Sequence, residues 1–112
     1  MVTSSSDGSE YSLSAVFRNT IKRLSARKGI VGVIICDREG FTLGSNLPTE
    51  QSETISANIG ILISRVLDVV AASGKYVGEL QTFTVFFEGK QLLISPDLER
   101  GFTVVLLKEK VS

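Results

Sequence analysis

Cys36 is the only thiol in the 112-residue chain, and there is no histidine. The commonest general base and the commonest metal ligand are therefore missing. A reactive thiolate needs exposure and nearby positive charge. Cys36 sits instead within IVGVIICD, residues 30 to 37, where a small buried hydrophobe is expected. Ser73-Gly74-Lys75 has the chemistry of the end of a phosphate loop. The glycine that such a loop needs upstream is replaced by Val69, and the Gly-Lys follows a helical stretch instead of opening one. Gly29 and Gly32 do not complete a dinucleotide fingerprint. Asp37 and Glu39 share one turn, and Asp97 and Glu99 share another. Paired carboxylates can do acid-base work. An Asp that opens a turn more often accepts from the backbone two residues on, and neither pair has the spacing of a calcium loop. No catalytic constellation, metal site or cofactor is expected.

The elements that carry these residues are legible from hydropathy and turn chemistry. Residues 1 to 9, MVTSSSDGS, are small and polar and read as a disordered tail before a single domain over 10 to 112. Leu13, Val16, Phe17, Ile21 and Leu24 recur at helical spacing, and Arg27-Lys28-Gly29 supplies a C-terminal stop. IVGVIICD and FTLGS read as strands around an Asp37-to-Gly40 turn. Thr49 suits the N-cap of a long helix that runs to about Ser73-Gly74. Three strands follow, LQTFTVFF (80 to 87), QLLIS (91 to 95) and FTVVLLK (102 to 108). Strands joined by short turns must be antiparallel. The expected fold is α/β of the α+β sandwich kind: a five-stranded antiparallel sheet flanked by helices, in the order α-β-β-α-β-β-β.

Hydrophobic residues make up 43% and charged residues 21%, with a formal net charge of zero, which fits a globular domain. Nucleic acid and anionic membrane both favour a basic surplus, so neither is expected as a partner. One cysteine excludes an internal disulfide framework and fits a cytoplasmic setting. No signal peptide is read at the N-terminus. Arg18, Lys22, Arg23, Arg27 and Lys28 crowd the first helix. They suit either a docking surface for something acidic or a solvated helix back, and the neutral total favours the latter.

The long helix is the unusual element. Asn58, Arg65 and Asp68 interrupt it, which argues against a transmembrane span. Ile55, Ile59, Leu62, Val66, Val69 and Val70 fall in one stripe that should cover the sheet. Ala57, Gly60, Ser64 and Ala71 cluster opposite, where a surface helix would carry Lys, Glu and Gln. A small, nearly uncharged back is expected to be covered by another polypeptide, a second copy or a relative. The alternative cover is the first helix of the same chain, whose single apolar stripe is already needed for a core. The strand LQTFTVFF is expected at a sheet edge, where unpaired backbone invites pairing.

The pattern IVGVIICDREGFTLG, followed by a long apolar helix and three strands, resembles the Roadblock/LC7 family over about residues 13 to 108. The order and spacing of the elements carry the resemblance, and no single motif does. It implies dimers in which long helices pack together and sheets join edge to edge. The interface implied here comprises Ala57, Gly60, Ile61, Ser64, Leu67, Asp68 and Ala71 of the helix and Leu80, Thr82, Thr84 and Phe86 of the strand. It further implies a non-catalytic scaffold whose partners are itself or a related Roadblock-type subunit, and small GTPases, without membrane insertion. Such domains serve as dynein light chains, as regulators of small GTPases or in the Ragulator scaffold on lysosomes. The run V-G-V-x-x-x-D-x-x-G-x-x-L-G, Val31 to Gly44, most resembles the Ragulator type. For a GTPase regulator, Arg38 in the exposed turn is the residue expected to touch a switch region.

Overall fold

A computed structural model describes residues 7–73 and 81–109, with side chains from 15 onward apart from that of 87. The elements are α1 (Asp7–Ser25), β1 (Ile30–Asp37), β2 (Thr42–Ser45), α2 (Thr49–Ser73), β3 (Phe83–Phe87), β4 (Lys90–Asp97) and β5 (Phe102–Glu109). The strands form one sheet in the order β2-β1-β5-β4-β3, and every neighbouring pair is antiparallel. The expected fold class and element order are therefore those observed. β2 and β3 form the two edges.

Strand alternation assigns each helix to its own face of the sheet. Ile34, Cys36, Val105 and Ile94 point to one side and pack with Ile59 of α2. Val33, Ile35, Val104 and Phe102 point to the other. There Phe17 of α1 meets Phe102 edge to face, with ring centroids 5.5 Å apart. Ile21 fills the space over Gly44, where a β-carbon would come within 2.9 Å of its Cδ1. The two helices thus lie on opposite sides of the sheet. α1 cannot be the layer that covers the back of α2.

α2 meets the β1–β2 hairpin through small residues and hydroxyls. Thr42 Oγ1 lies 2.7 Å from Ser56 Oγ and donates to the Ser52 carbonyl at 3.3 Å. Ser45 Oγ lies 2.6 Å from Ser52 Oγ, accepts the Leu47 N–H at 2.9 Å, and Ser52 Oγ donates to the Leu47 carbonyl at 3.3 Å. These bonds satisfy Ser52 and Ser56, both buried, which would otherwise incur a desolvation cost. At the top of the hairpin, Gly40 adopts φ +93°. A β-carbon there would come within 3.1 Å of the Ala57 Cα, and one at Gly60 within 3.3 Å of the Gly40 Cα.

Four expectations change. The half-in position at the start of α2 belongs to Pro48 and not to Thr49, because the Pro48 carbonyl already accepts the Ser52 N–H at 2.9 Å. α1 ends at Ser25, and Arg27 and Ile30 close two turns onto Leu24 and Arg27, the second containing Gly29 at φ +86°. α1 begins at Asp7, inside the stretch 1 to 9 read as a tail. Residues 1–6, Gly74-Lys75 and the loop expected over 74 to 79 lie outside the described residues. β3 begins at Phe83, later than the expected strand.

Gly60→Leu is therefore expected to weaken the fold itself. A leucine there drives into the Gly40 backbone, which cannot retreat. The expected loss is about 1–3 kcal/mol, read as a lower unfolding midpoint in denaturant, the same at every protein concentration.

Candidate interaction surface

Asp37, Asp97 and Cys36, three of the residues that could have carried chemistry, are occupied structurally. Asp37 Oδ1 accepts the Glu39 and Phe41 N–H groups at 3.0 and 2.9 Å. Asp97 Oδ1 accepts the Arg100 N–H at 3.0 Å, and its Oδ2 lies 3.8 Å from the Arg100 Nε. Each is a turn residue bonding its own backbone. Among the described residues no group of three or more His, Cys, Asp and Glu could hold a metal ion. Cys36 is fully buried. Burial, and secondarily the Asp37 charge, push its thiol from 9.0 up to about 11, against a smaller lowering by a hydrogen bond with Ser56. This is the inert core cysteine that the sequence suggested.

Arg38 does not project freely from its turn. Its Nη2 donates to the Leu98 carbonyl at 2.8 Å, and its guanidinium lies over Gly101. It ties the β1–β2 turn to the β4–β5 turn. One of its donors is used within the chain, which weakens its candidacy as a switch-contacting arginine.

What remains is surface, and α2 dominates it. The inner face is centred on Ser52, Ser56, Ile59 and Ile63. The expected stripe is rotated from this by roughly 50°, half of one residue step. Two buried serines explain the difference, because hydropathy alone does not place serine inward. The rotation brings Ile63 in and turns Val69 out, leaving it 63% exposed. Val69 is the outward residue that the sequence reading missed.

The expected interface residues fall into distinct places. Ile61 lies opposite the inner face and is 61% exposed, with Ala57, Ser64, Asp68 and Ala71 also exposed. Ala57, Gly60, Ile61 and Ser64 come together, with Arg38, Glu39 and Arg65, around a shallow depression of about 460 Å³. Gly60 forms its floor and packs on Gly40 of its own chain, so its small size has an intramolecular cause. Leu67 is half-buried and turns instead toward Ile63 and Leu98, in a neighbouring hollow of about 310 Å³.

β3 is an edge strand, as the sequence suggested. Phe86 is 71% exposed, and Thr84 is half-buried on the same side of the strand. Thr82 is exposed just before β3, its hydroxyl 3.3 Å from that of Ser95. Leu80 lies outside the described residues.

α2 is also the one helix among the described residues long and apolar enough, by length and composition, to cross a membrane. Its most apolar 18-residue stretch has a mean hydropathy of 1.7, yet only 11% of that stretch is buried in the chain. Charges at Arg65 and Asp68, and an inner face sealed by hydroxyl pairs to the sheet, fit a domain helix with an uncovered back.

The Cys36 thiol gives a pH test. The folded chain holds this proton more tightly than the unfolded chain. Its stabilisation is complete below pH 9.0 and is lost as the pH rises toward about 11. The unfolding midpoint of the wild-type chain is expected to fall more steeply across that window than that of Cys36→Ala. Equal slopes in a thermal melt series would place the thiol outside the core.

By sequence, no family model and no curated protein matches the chain. By structure it is similar to the crystal structure of a Roadblock/LC7 domain from Streptomyces avermitilis. The TM-score is 0.69 at 14% identity, covering 80% of this chain and 74% of that one. With its five antiparallel strands, its two helices on opposite faces and its long second helix, the chain has the Roadblock/LC7 fold.

Proposed function

We propose that this chain is a non-catalytic scaffold subunit that pairs with a second copy or a related Roadblock-type subunit through the outer face of α2. The observation that carries this reading is the mismatch between composition and burial in that helix. Its most apolar 18 residues have a mean hydropathy of 1.7, only 11% of them are fully buried, and Ile61 and Val69 stand 61% and 63% exposed. Exposed apolar surface of this kind is a liability in a monomer and marks an interaction site. Ile61 and Val69 supply the apolar area, while Ala57, Ser64, Ala71 and Ala72 allow a partner helix to come close.

The edge of β3 extends the same interface. Its outer backbone groups have no neighbouring strand among the described residues, and the exposed Phe86 offers an apolar anchor beside them. A second copy adding at this edge would make an isologous contact and continue the sheet. The pairing supplies the composite surface on which a small GTPase or a larger signalling or trafficking assembly docks, in the manner of Ragulator, from a cytoplasmic position. A regulator that speeds nucleotide turnover and a motor light chain are the other uses of such a platform. No residue of this chain favours either, since Arg38 is engaged internally.

Ile61→Glu and Ser64→Arg are expected to convert the assembled species to half its mass in light scattering while leaving the circular dichroism of the fold unchanged. These positions face solvent in the single chain, so they separate assembly from folding in a way that Gly60 cannot. A wild-type chain that stays monomeric at high concentration, and recovers no Roadblock-type partner when used as bait, overturns the reading.

A further inference from the structure

The formal net charge of zero conceals a segregation of charge between the two sides of the sheet. From Ala15 to Cys36 there are five cations, Arg18, Lys22, Arg23, Arg27 and Lys28, and no acidic residue. All five are exposed. Lys108 of β5 emerges on the same side, in register with Ile30 just beyond the end of α1. The opposite side is the more acidic: α2 carries Glu50, Glu53 and Asp68 against Arg65 alone. Lys22, Arg23, Arg27 and Lys28 have no ion-pair partner among the described residues, whereas Arg18 is engaged in an interaction within the chain. Glu109 of β5 reaches the end of this segment through its backbone, whose N–H donates to the Gly29 carbonyl at 2.8 Å.

We propose that the outer face of α1 docks on an anionic lipid surface, held by Lys22, Arg23, Arg27 and Lys28. Three features favour this occupant over an acidic protein or a nucleic acid. The face is the convex back of a helix, and the five principal hollows among the described residues are lined by other side chains. It therefore suits a broad charged plane better than a single acidic side chain. Among its described side chains it presents no exposed aromatic ring for a base to stack on, since Phe17 is turned inward onto Phe102. The large exposed apolar side chain among them is Val16, 55% exposed, which is too little to anchor a protein interface. The apolar stripe of α1 is used by the sheet, so the helix cannot embed, and attraction at the headgroup level is the remaining driving force.

The location is compatible with the proposed pairing but does not depend on it. α1 lies across the sheet from α2, so a partner on α2 leaves these cations uncovered. A pairing that continued the sheet at β3 would set two basic faces on one side, and the second would act through effective concentration.

The test is co-sedimentation of the full chain with vesicles of phosphatidylcholine alone and of phosphatidylcholine with phosphatidylserine, at about 50 and 500 mM salt. Binding is expected only to the anionic vesicles and only at low salt. The triple variant Lys22→Gln/Arg23→Gln/Arg27→Gln should bind roughly 100-fold more weakly, with unchanged circular dichroism and unchanged native mass. Glu50→Gln/Glu53→Gln, on the other side of the sheet, should not weaken binding. Failure to sediment with anionic vesicles overturns the proposal, as does equal sedimentation of the triple variant. Capture by poly-glutamate or duplex DNA without vesicle binding also overturns it, in favour of an acidic protein or a nucleic acid. Because native mass is read in the same samples, a failed pairing is distinguishable from a failed docking.

Discussion

The approach of α2 to the β1–β2 hairpin constrains the rest of this molecule. At Gly40 and Gly60 two backbones meet with no side chain between them. Just below, Thr42, Ser45, Ser52 and Ser56 fill the gap with hydroxyl pairs instead of methyl groups. Short polar side chains let the helix lie close, and their hydrogen bonds fix its angular position about its own axis more tightly than sliding methyls would. Once that angle is set, Ile61, Ser64, Asp68 and Val69 can only face outward.

The same constraint explains why the turn at residues 37 to 41 carries no chemistry. Gly40 is pinned under α2, the Asp37 carboxylate holds the turn from inside, and Arg38 reaches across to the Leu98 carbonyl. A group that already holds backbone in place is poorly available to a substrate. Beside its hollows, the molecule displays broad helix surfaces. Its two helices offer different ones, since strand alternation holds them on opposite faces of the sheet. The back of α2 is apolar with two charges in its later half, and the back of α1 is basic.

Much of this was legible before any coordinates. Eight-residue β1 stood out because an apolar β-branched run closed by Asp-x-x-Gly has few other readings. The inert character of Cys36 followed from its neighbours in that run. The edge position of β3 also matched expectation. Gly60 has a second reason to be small that the sequence did not show. A glycine among small residues on a helix back looks like a contact for a partner helix, and here Gly40, 20 positions earlier in the chain, already approaches it. Ser52 and Ser56 were invisible as core residues, because a hydroxyl is inward only when another hydroxyl waits for it.

The sequence by itself determined the elements, their order and the antiparallel pairing, because hydropathy period and turn chemistry are local and survive without knowledge of the partner surface. It also determined that histidine is absent and that the lone cysteine lies in an apolar run, because both are read directly from residue types. Only the tertiary structure decided which way α2 is turned, which side of the sheet α1 occupies and that Lys108 joins the cations already clustered along α1. Those depend on residues far apart in the chain meeting at a fixed register, and no one-dimensional pattern records such a meeting.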